Sequence, residues 1–200
     1  MKLSGFKKQG DRISFTIKDL DVELANALRR KIISGVPVMA IEKVDVLSNS
    51  SILNDEVLAH RLGLIPLATD LKSYVEPLEC GCELKGCTNC TSTLTLDVAG
   101  PLMVYSGHLK PTDPKIKPVY DNMPLIKLTE NQKIKLEAHA TLGCGRQHMK
   151  WHAGIASYEA SNNKLDFFIE SYGQYPVEDL AKLAFNVFQK ELSEVKKEVK

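Results

Sequence analysis

The feature that most limits how this chain can fold lies in its last quarter. Pro176 sits where a first helical turn would begin, and behind it Val177, Leu180, Ala184, Val187, Phe188, Leu192 and Val195 recur at helical spacing. That pattern predicts one continuous amphipathic helix reaching about Val199. At ~1.5 Å per residue such a helix runs roughly 36 Å. A small domain does not need that much helix to cover its own core, so the surplus apolar stripe predicts a partner.

The start of the chain has similar parts. Phe6 to Ile17 reads as a hairpin, with Gly10-Asp11 as the turn and Ile13, Phe15 and Ile17 alternating with polar residues. Asp19 and Asp21 offer N-caps to a helix from about Val22 to Ile33, whose apolar face is Leu24, Ala27, Leu28 and Ile32. Gly35 and Pro37 stop it. A strand follows near Ile41–Leu47, and Asn54 caps a second helix that carries acids in its first turn and His60 and Arg61 towards its end. Two further strands are predicted at Thr93–Val98 and Lys133–His139. Between them, Pro111, Pro114, Pro118 and Pro124 mark an ordered loop or linker that is not a core element. Ile155–Ala160 and Leu165–Tyr172 then form a hairpin around Asn162-Asn163 and lead into the terminal helix. The fold class expected is α+β, with hairpin and helix at both ends and a mainly-β middle.

Between Pro77 and Thr93 the character changes. Cys80, Cys82, Cys87 and Cys90 fall within one short loop, with Gly81 and Gly86 to permit tight turns. The first residues lack the apolar run of a signal peptide, and no stretch approaches the ~18–20 apolar residues of a membrane span. The expectation is therefore an intracellular, cytoplasmic protein without a membrane. In that compartment thiols stay reduced, and four close together point to metal. Four thiolates can close a tetrahedral zinc site, whereas the compact spacing differs from ferredoxin patterns, so no iron–sulfur cluster is expected. A metal-free loop of free thiols is the alternative.

Charge restricts function further. Lys and Arg total 26 against 25 Asp and Glu, so the basic stripe that gives a nucleic-acid-binding protein most of its affinity is absent. No phosphate-cradling glycine loop, metalloprotease helix, nucleophile elbow or aspartate-rich magnesium loop occurs. The expectation is no catalytic residue. Cys144, His148 and His152 lie four apart, but the glycines flanking Cys144 argue against one helical face, and a surface loop suffices for them.

One long run is more specific than any of these motifs. Leu24-Ala25-Asn26-Ala27-Leu28-Arg29-Arg30-Lys31-Ile32-Ile33-Ser34, then Val36-Pro37, resembles the first helix of the alpha-like subunits of cellular RNA polymerases. Val38 to Val44, Asn49-Ser50-Ser51 and Asp55 to Leu67 narrow the likeness to the archaeal D subunits, whose eukaryotic counterpart is the third-largest subunit of RNA polymerase II. The resemblance is close over residues 20–67 and looser through Lys150-Trp151 and the terminal hairpin and helix.

This resemblance implies a split fold. A dimerisation domain of strands and long helices comes from residues 1–40 and 153–200, and an inserted domain, 41–152, carries the cysteine loop. It implies a non-catalytic assembly subunit that pairs with a smaller alpha-like subunit, L in archaea, and nucleates assembly of the large catalytic subunits alongside other small subunits. DNA is then met only through the whole complex. Leu24, Leu28, Val177, Leu180, Ala184, Val187, Phe188 and Leu192 become the partner interface, and Arg29, Arg30, His60 and Arg61 the large-subunit contact. The ferredoxin-like insert of many archaeal relatives is expected to be absent, since only Cys144 lies outside the 80–90 cluster. The end at Lys200, without the tails of some eukaryotic relatives, favours an archaeal source.

Two other readings compete. A free-standing zinc-ribbon module that binds nucleic acid would surround its cysteines with basic and aromatic residues, yet Glu76, Glu79 and Glu83 stand there. A thiol redox enzyme using Cys87-x-x-Cys90 would need a βαβ setting, which the flanking pattern lacks.

Overall fold

Period-two alternation places the strands of this chain, and three-to-four spacing its helices. The computed structural model describes residues 2–161 and 164–199. Its elements are β1 (Lys2–Gln9), β2 (Arg12–Lys18), α1 (Val22–Ser34), β3 (Val38–Asn49), α2 (Asp55–Gly63), β4 (Thr91–Ala99), β5 (Leu102–Tyr105), β6 (Lys110–Pro111), β7 (Pro124–Leu128), β8 (Lys133–Gly143), β9 (Gly154–Ser161), β10 (Lys164–Ser171) and α3 (Val177–Glu198). The strand pairings are antiparallel throughout, as the α+β expectation requires. The turn foreseen at Asn162-Asn163 lies outside the described residues.

The chain divides into two compact units, residues 1–37 with 144–200 and residues 38–143. These divisions differ from those expected at 40/41 and 152/153. Val38, Met39 and Ala40 already pair with Gly143, Leu142 and Thr141 in the second unit. Residues after Gly143 belong to the first, where Gly145 packs on Ser34 and Arg146 reaches Glu191.

In the first unit the sheet order is β1-β2-β10-β9. Ile13, Phe15 and Ile17 face inward opposite Ile169, Phe167 and Leu165, all buried. Phe15 and Phe167 stack with ring centres 5.6 Å apart, a pairing worth roughly 0.5–1.5 kcal/mol beyond its burial. Against this sheet α1 buries Ala25, Leu28 and Ile32, and α3 buries Val177, Leu180, Ala181 and Ala184. The buried face of α1 thus starts at Ala25, where the sequence suggested Leu24. Both lie within a turn of Leu28, and the smaller side chain fills the packed side while Leu24 is turned outward. Gly154 in β9 shows how tight this packing is, since a Cβ there would meet the Glu170 carbonyl at 2.2 Å.

The helix starts correct a second expectation. Asp21 and Asn54 occupy the N-cap positions of α1 and α2, yet neither side chain caps. Asp19 adopts a left-handed φ of 58° instead of serving α1. Ahead of α2, Asn49 fixes the approach to the helix without capping it: its amide donates to the Leu53 carbonyl at 2.9 Å and to Asp55 at 2.7 Å.

In the second unit the sheet order is β3-β8-β4-β6, with β5 and β7 forming a separate pair. Met39, Ile41, Leu94, Leu96, Ile134 and Leu136 line one core with Leu58 and Leu62 of α2. The proline-rich stretch is ordered, as expected, but it does supply core: Leu109 and Ile116 are buried there. Prolines deny that stretch a regular ladder. Its backbone is tied down piecemeal, with Ala68 donating to Lys117 and Val119 donating to Pro66.

Candidate metal centre and subunit-contact surfaces

The cysteine loop is built from tight turns. A single three-residue helical turn, Pro77–Glu79, delivers Cys80, whose N–H donates to the Pro77 carbonyl. The chain then reverses through Glu83, Leu84 and Gly86, all at left-handed φ. Glycine takes that region without strain, and two non-glycine residues beside it mark a turn held by its surroundings. Cys87 and Cys90 form a second knuckle: the Cys90 and Thr91 N–H groups donate to the Cys87 carbonyl, and the Cys87 N–H points at the Cys90 sulfur at 3.4 Å. Because β4 begins at Thr91, Cys90 is anchored at the root of the sheet and buried, while the other three are half-buried.

The four sulfurs converge. Cys80 and Cys87 Sγ atoms are 3.4 Å apart, Cys82 and Cys90 3.6 Å, and Cys87 and Cys90 3.8 Å. All four lie within 4.8 Å of one another, and none is in a disulfide. A tetrahedral ion at ~2.3 Å from each sulfur sets the sulfurs ~3.8 Å apart, so the group can hold a metal ion. The sulfurs cannot ionise independently. A hydrogen bond from Cys80 lowers Cys82 to about 6. The Cys82 N–H favours the Cys80 thiolate, but hydrogen bonds with the Cys87 and Cys82 thiols outweigh it and push Cys80 up to about 12. A bound dication removes that conflict, because every ligand can then be a thiolate. Four sulfurs leave no open position for water, so the arrangement suits a structural ion.

On the terminal helix, structure separates what the periodicity ran together. Val177, Leu180 and Ala184 of α3, with Leu28 of α1, are buried in this chain's own core. Expected as partner contacts, these four already have neighbours within the first unit. Val187 and Phe188 are half-buried, whereas Leu24, Leu192 and Val195 are 42%, 51% and 57% exposed. The second half of α3 is pinned by Glu191, which binds Lys31 of α1 and Arg146, the latter at 3.1 Å. Sequence reasoning missed Glu191, which nothing along the sequence sets apart from Glu194 and Glu198 on the same helix. Lys31 is the main cause that holds the Glu191 carboxyl below the usual glutamate range.

The basic residues also divide. Arg29 donates twice to Asn26 of its own helix, at 3.2 and 3.0 Å. Arg30 is exposed, and its guanidinium has no partner among the described residues. His60 is exposed, whereas Arg61 donates to the Leu125 carbonyl at 2.5 Å. Cys144, His148 and His152 do not gather: the Cys144 sulfur lies 3.8 Å from the Gly35 carbonyl, and His148 accepts from the Lys150 N–H. Among the described residues the 80–90 cluster is the only group of metal-binding type, and no helix is long and apolar enough to cross a membrane.

Proteins named DNA-directed RNA polymerase subunit Rpo3 are similar to the chain. That of Methanosphaera stadtmanae is 43% identical over 152 residues, 74% of this chain and 56% of the relative. Those of Methanosarcina acetivorans and Thermococcus kodakarensis are 46% and 43% identical, over 71% and 76% of this chain and 54% and 57% of theirs. The chain thus spans a little over half the length of these relatives. The family model described as the RNA polymerase Rpb3/RpoA insert domain matches residues 41–157. A match over more than half the chain makes this protein a member of the RNA polymerase Rpb3/RpoA insert domain family.

Proposed function

We propose that this chain is a non-catalytic assembly subunit of a DNA-directed RNA polymerase. The observation that carries the reading is its 43–46% identity to relatives named as that enzyme's Rpo3 subunit. In this reading residues 1–37 and 144–200 form the dimerisation domain. Leu24, Val187, Phe188 and Leu192 meet a smaller alpha-like subunit, L, across α1 and the uncovered half of α3. Arg30 is the foremost contact to the large subunits, since it alone of Arg29, Arg30 and Arg61 is without a partner among the described residues. His60 supports it, and Arg29 and Arg61 add what their intramolecular bonds leave free. Other small subunits join the same assembly, and DNA is met only through the whole complex, in the cytoplasm. The four cysteines hold zinc, whose part is to keep the loop at the start of β4 folded.

Co-expression tests this directly. The chain should co-purify with a small alpha-like subunit, and the pair should then recruit the large subunits. Alone it should show no nucleotidyl transfer and only weak, salt-labile DNA binding, since it has no magnesium-binding acidic loop and no basic face. A template-dependent RNA product from the pure chain contradicts the reading.

A further inference from the structure

The cysteine loop has a property that holding an ion does not require. None of residues 75–89 is buried, so no apolar core keeps the loop in place. Leu78 and Leu84 are exposed on it, and a Cβ on Gly81 would meet nothing within 4 Å. Of the four ligands only Cys90 is buried, at the start of β4. The other three ride on a segment that small solutes reach and that can move without disturbing a core.

The sulfurs also fall into two pairs. Cys80 and Cys87 are nearest, 3.4 Å apart, and the remaining two, Cys82 and Cys90, are 3.6 Å apart. Cys80 and Cys87 are both half-buried, so the first pair is open to solvent, whereas the second is reached through Cys82. A metal-bound sulfur is a thiolate without needing basic neighbours, and the thiolate is the form that attacks an oxidant. Charge then restricts the oxidant. Glu76, Glu79 and Glu83 flank the ligands, and Lys85, the one cation of residues 76–90, is paired with Glu83 at 3.0 Å. Such a surface repels an anionic oxidant such as glutathione disulfide and leaves an uncharged peroxide free to approach.

We propose that this loop is a site of oxidation by hydrogen peroxide, in which Cys80 and Cys87 close one disulfide, Cys82 and Cys90 then close a second, and the metal is released. The proposal rests on the zinc reading above. In each pair one thiolate attacks the peroxide O–O bond, keeping one oxygen as a sulfenic acid and expelling the other as hydroxide. The second thiolate attacks that sulfur, forms the S–S bond and expels the remaining oxygen as hydroxide. Two protons turn both hydroxides into water, so each disulfide gives two electrons to one peroxide. After the first bond only Cys82 and Cys90 remain as ligands, too few to close a tetrahedral shell.

To test it, the full chain is purified without oxygen, its zinc is counted, and hydrogen peroxide is added stepwise beside a chromogenic zinc chelator. About one zinc per chain should appear as the first equivalent is consumed. Peptide mapping should find Cys80–Cys87 at that point and Cys82–Cys90 after the second. A dithiol with added zinc should restore the starting state, and Cys144, in the first unit, should stay reduced throughout. Glu79→Lys, at an exposed site, should speed zinc release by glutathione disulfide several-fold more than release by peroxide. Zinc retained under excess peroxide, Cys87–Cys90 as the first disulfide, sulfinic acids in place of disulfides, or a Glu79→Lys chain whose two rates keep their ratio overturns the proposal and leaves the zinc site standing. If the purified chain holds no zinc and takes none up, both fall.

Discussion

Leu192→Asp separates folding from association on a single helix. Leu192, Val195 and Leu24 are 51%, 57% and 42% exposed, so the chain leaves about one and a half large apolar side chains uncovered. At ~1.5–3 kcal/mol per side chain, covering them by a partner contributes roughly 2–4 kcal/mol. Leu192 supplies about a third of that. Its replacement by aspartate also buries a charge without a partner, which costs roughly 3–5 kcal/mol. Together these predict a complex weaker by about 400-fold or more at ~1.4 kcal/mol per decade. Folding should hardly notice, because a surface substitution of this kind stays within about 0.5 kcal/mol. Ala184→Asp makes the opposite case: that residue is 0% exposed, and a carboxylate there should unfold the first unit. The assay is a thermal melt of each variant alongside titration calorimetry with the small alpha-like subunit. If Leu192→Asp binds at wild-type strength with an unchanged melt, the uncovered half of α3 is not the interface.

Anaerobically purified protein should contain about one zinc per chain. Cys82→Ser should lose it and loosen residues 80–90 while leaving partner binding intact, as metal analysis and hydrogen exchange will show. Arg30→Ala should keep the fold and the small-subunit pair but impair large-subunit recruitment by ~2 kcal/mol or more; reconstitution at full yield counts against that role. Glu191 has its folded-state pKa lowered, chiefly by Lys31. Its contribution to stability should therefore be complete above the ordinary glutamate pKa of about 4.3, and lost as pH falls through the lower folded-state value. Hydrogen exchange in the second half of α3 should rise over that acid range, and Glu191→Gln should abolish the pH dependence.

Element type and much of the metal site could be read directly from the residues, because both are local. Alternation in Ile13–Ile17 and Ile134–Ala138, and helical spacing in Val177–Val195, follow from backbone geometry that needs no distant neighbour. Four cysteines in one short loop lie close together whatever the rest of the chain does. What periodicity cannot tell is which part of an apolar stripe the chain covers itself. Leu180 and Leu192 look alike along the sequence, yet one is 0% exposed and the other 51%, because the β2–β10 surface supports only the first turns of α3. The same holds for α1, where packing chose Ala25 over Leu24, and for Ile116, which enters the core from a proline-rich stretch. Arg30 and Arg61 carry the same side chain, but only the fold hands Arg61 the Leu125 carbonyl, 64 residues away. Local spacing sets what each segment can bury, and long-range packing decides what it does bury, since only the neighbours brought by the whole chain exclude water.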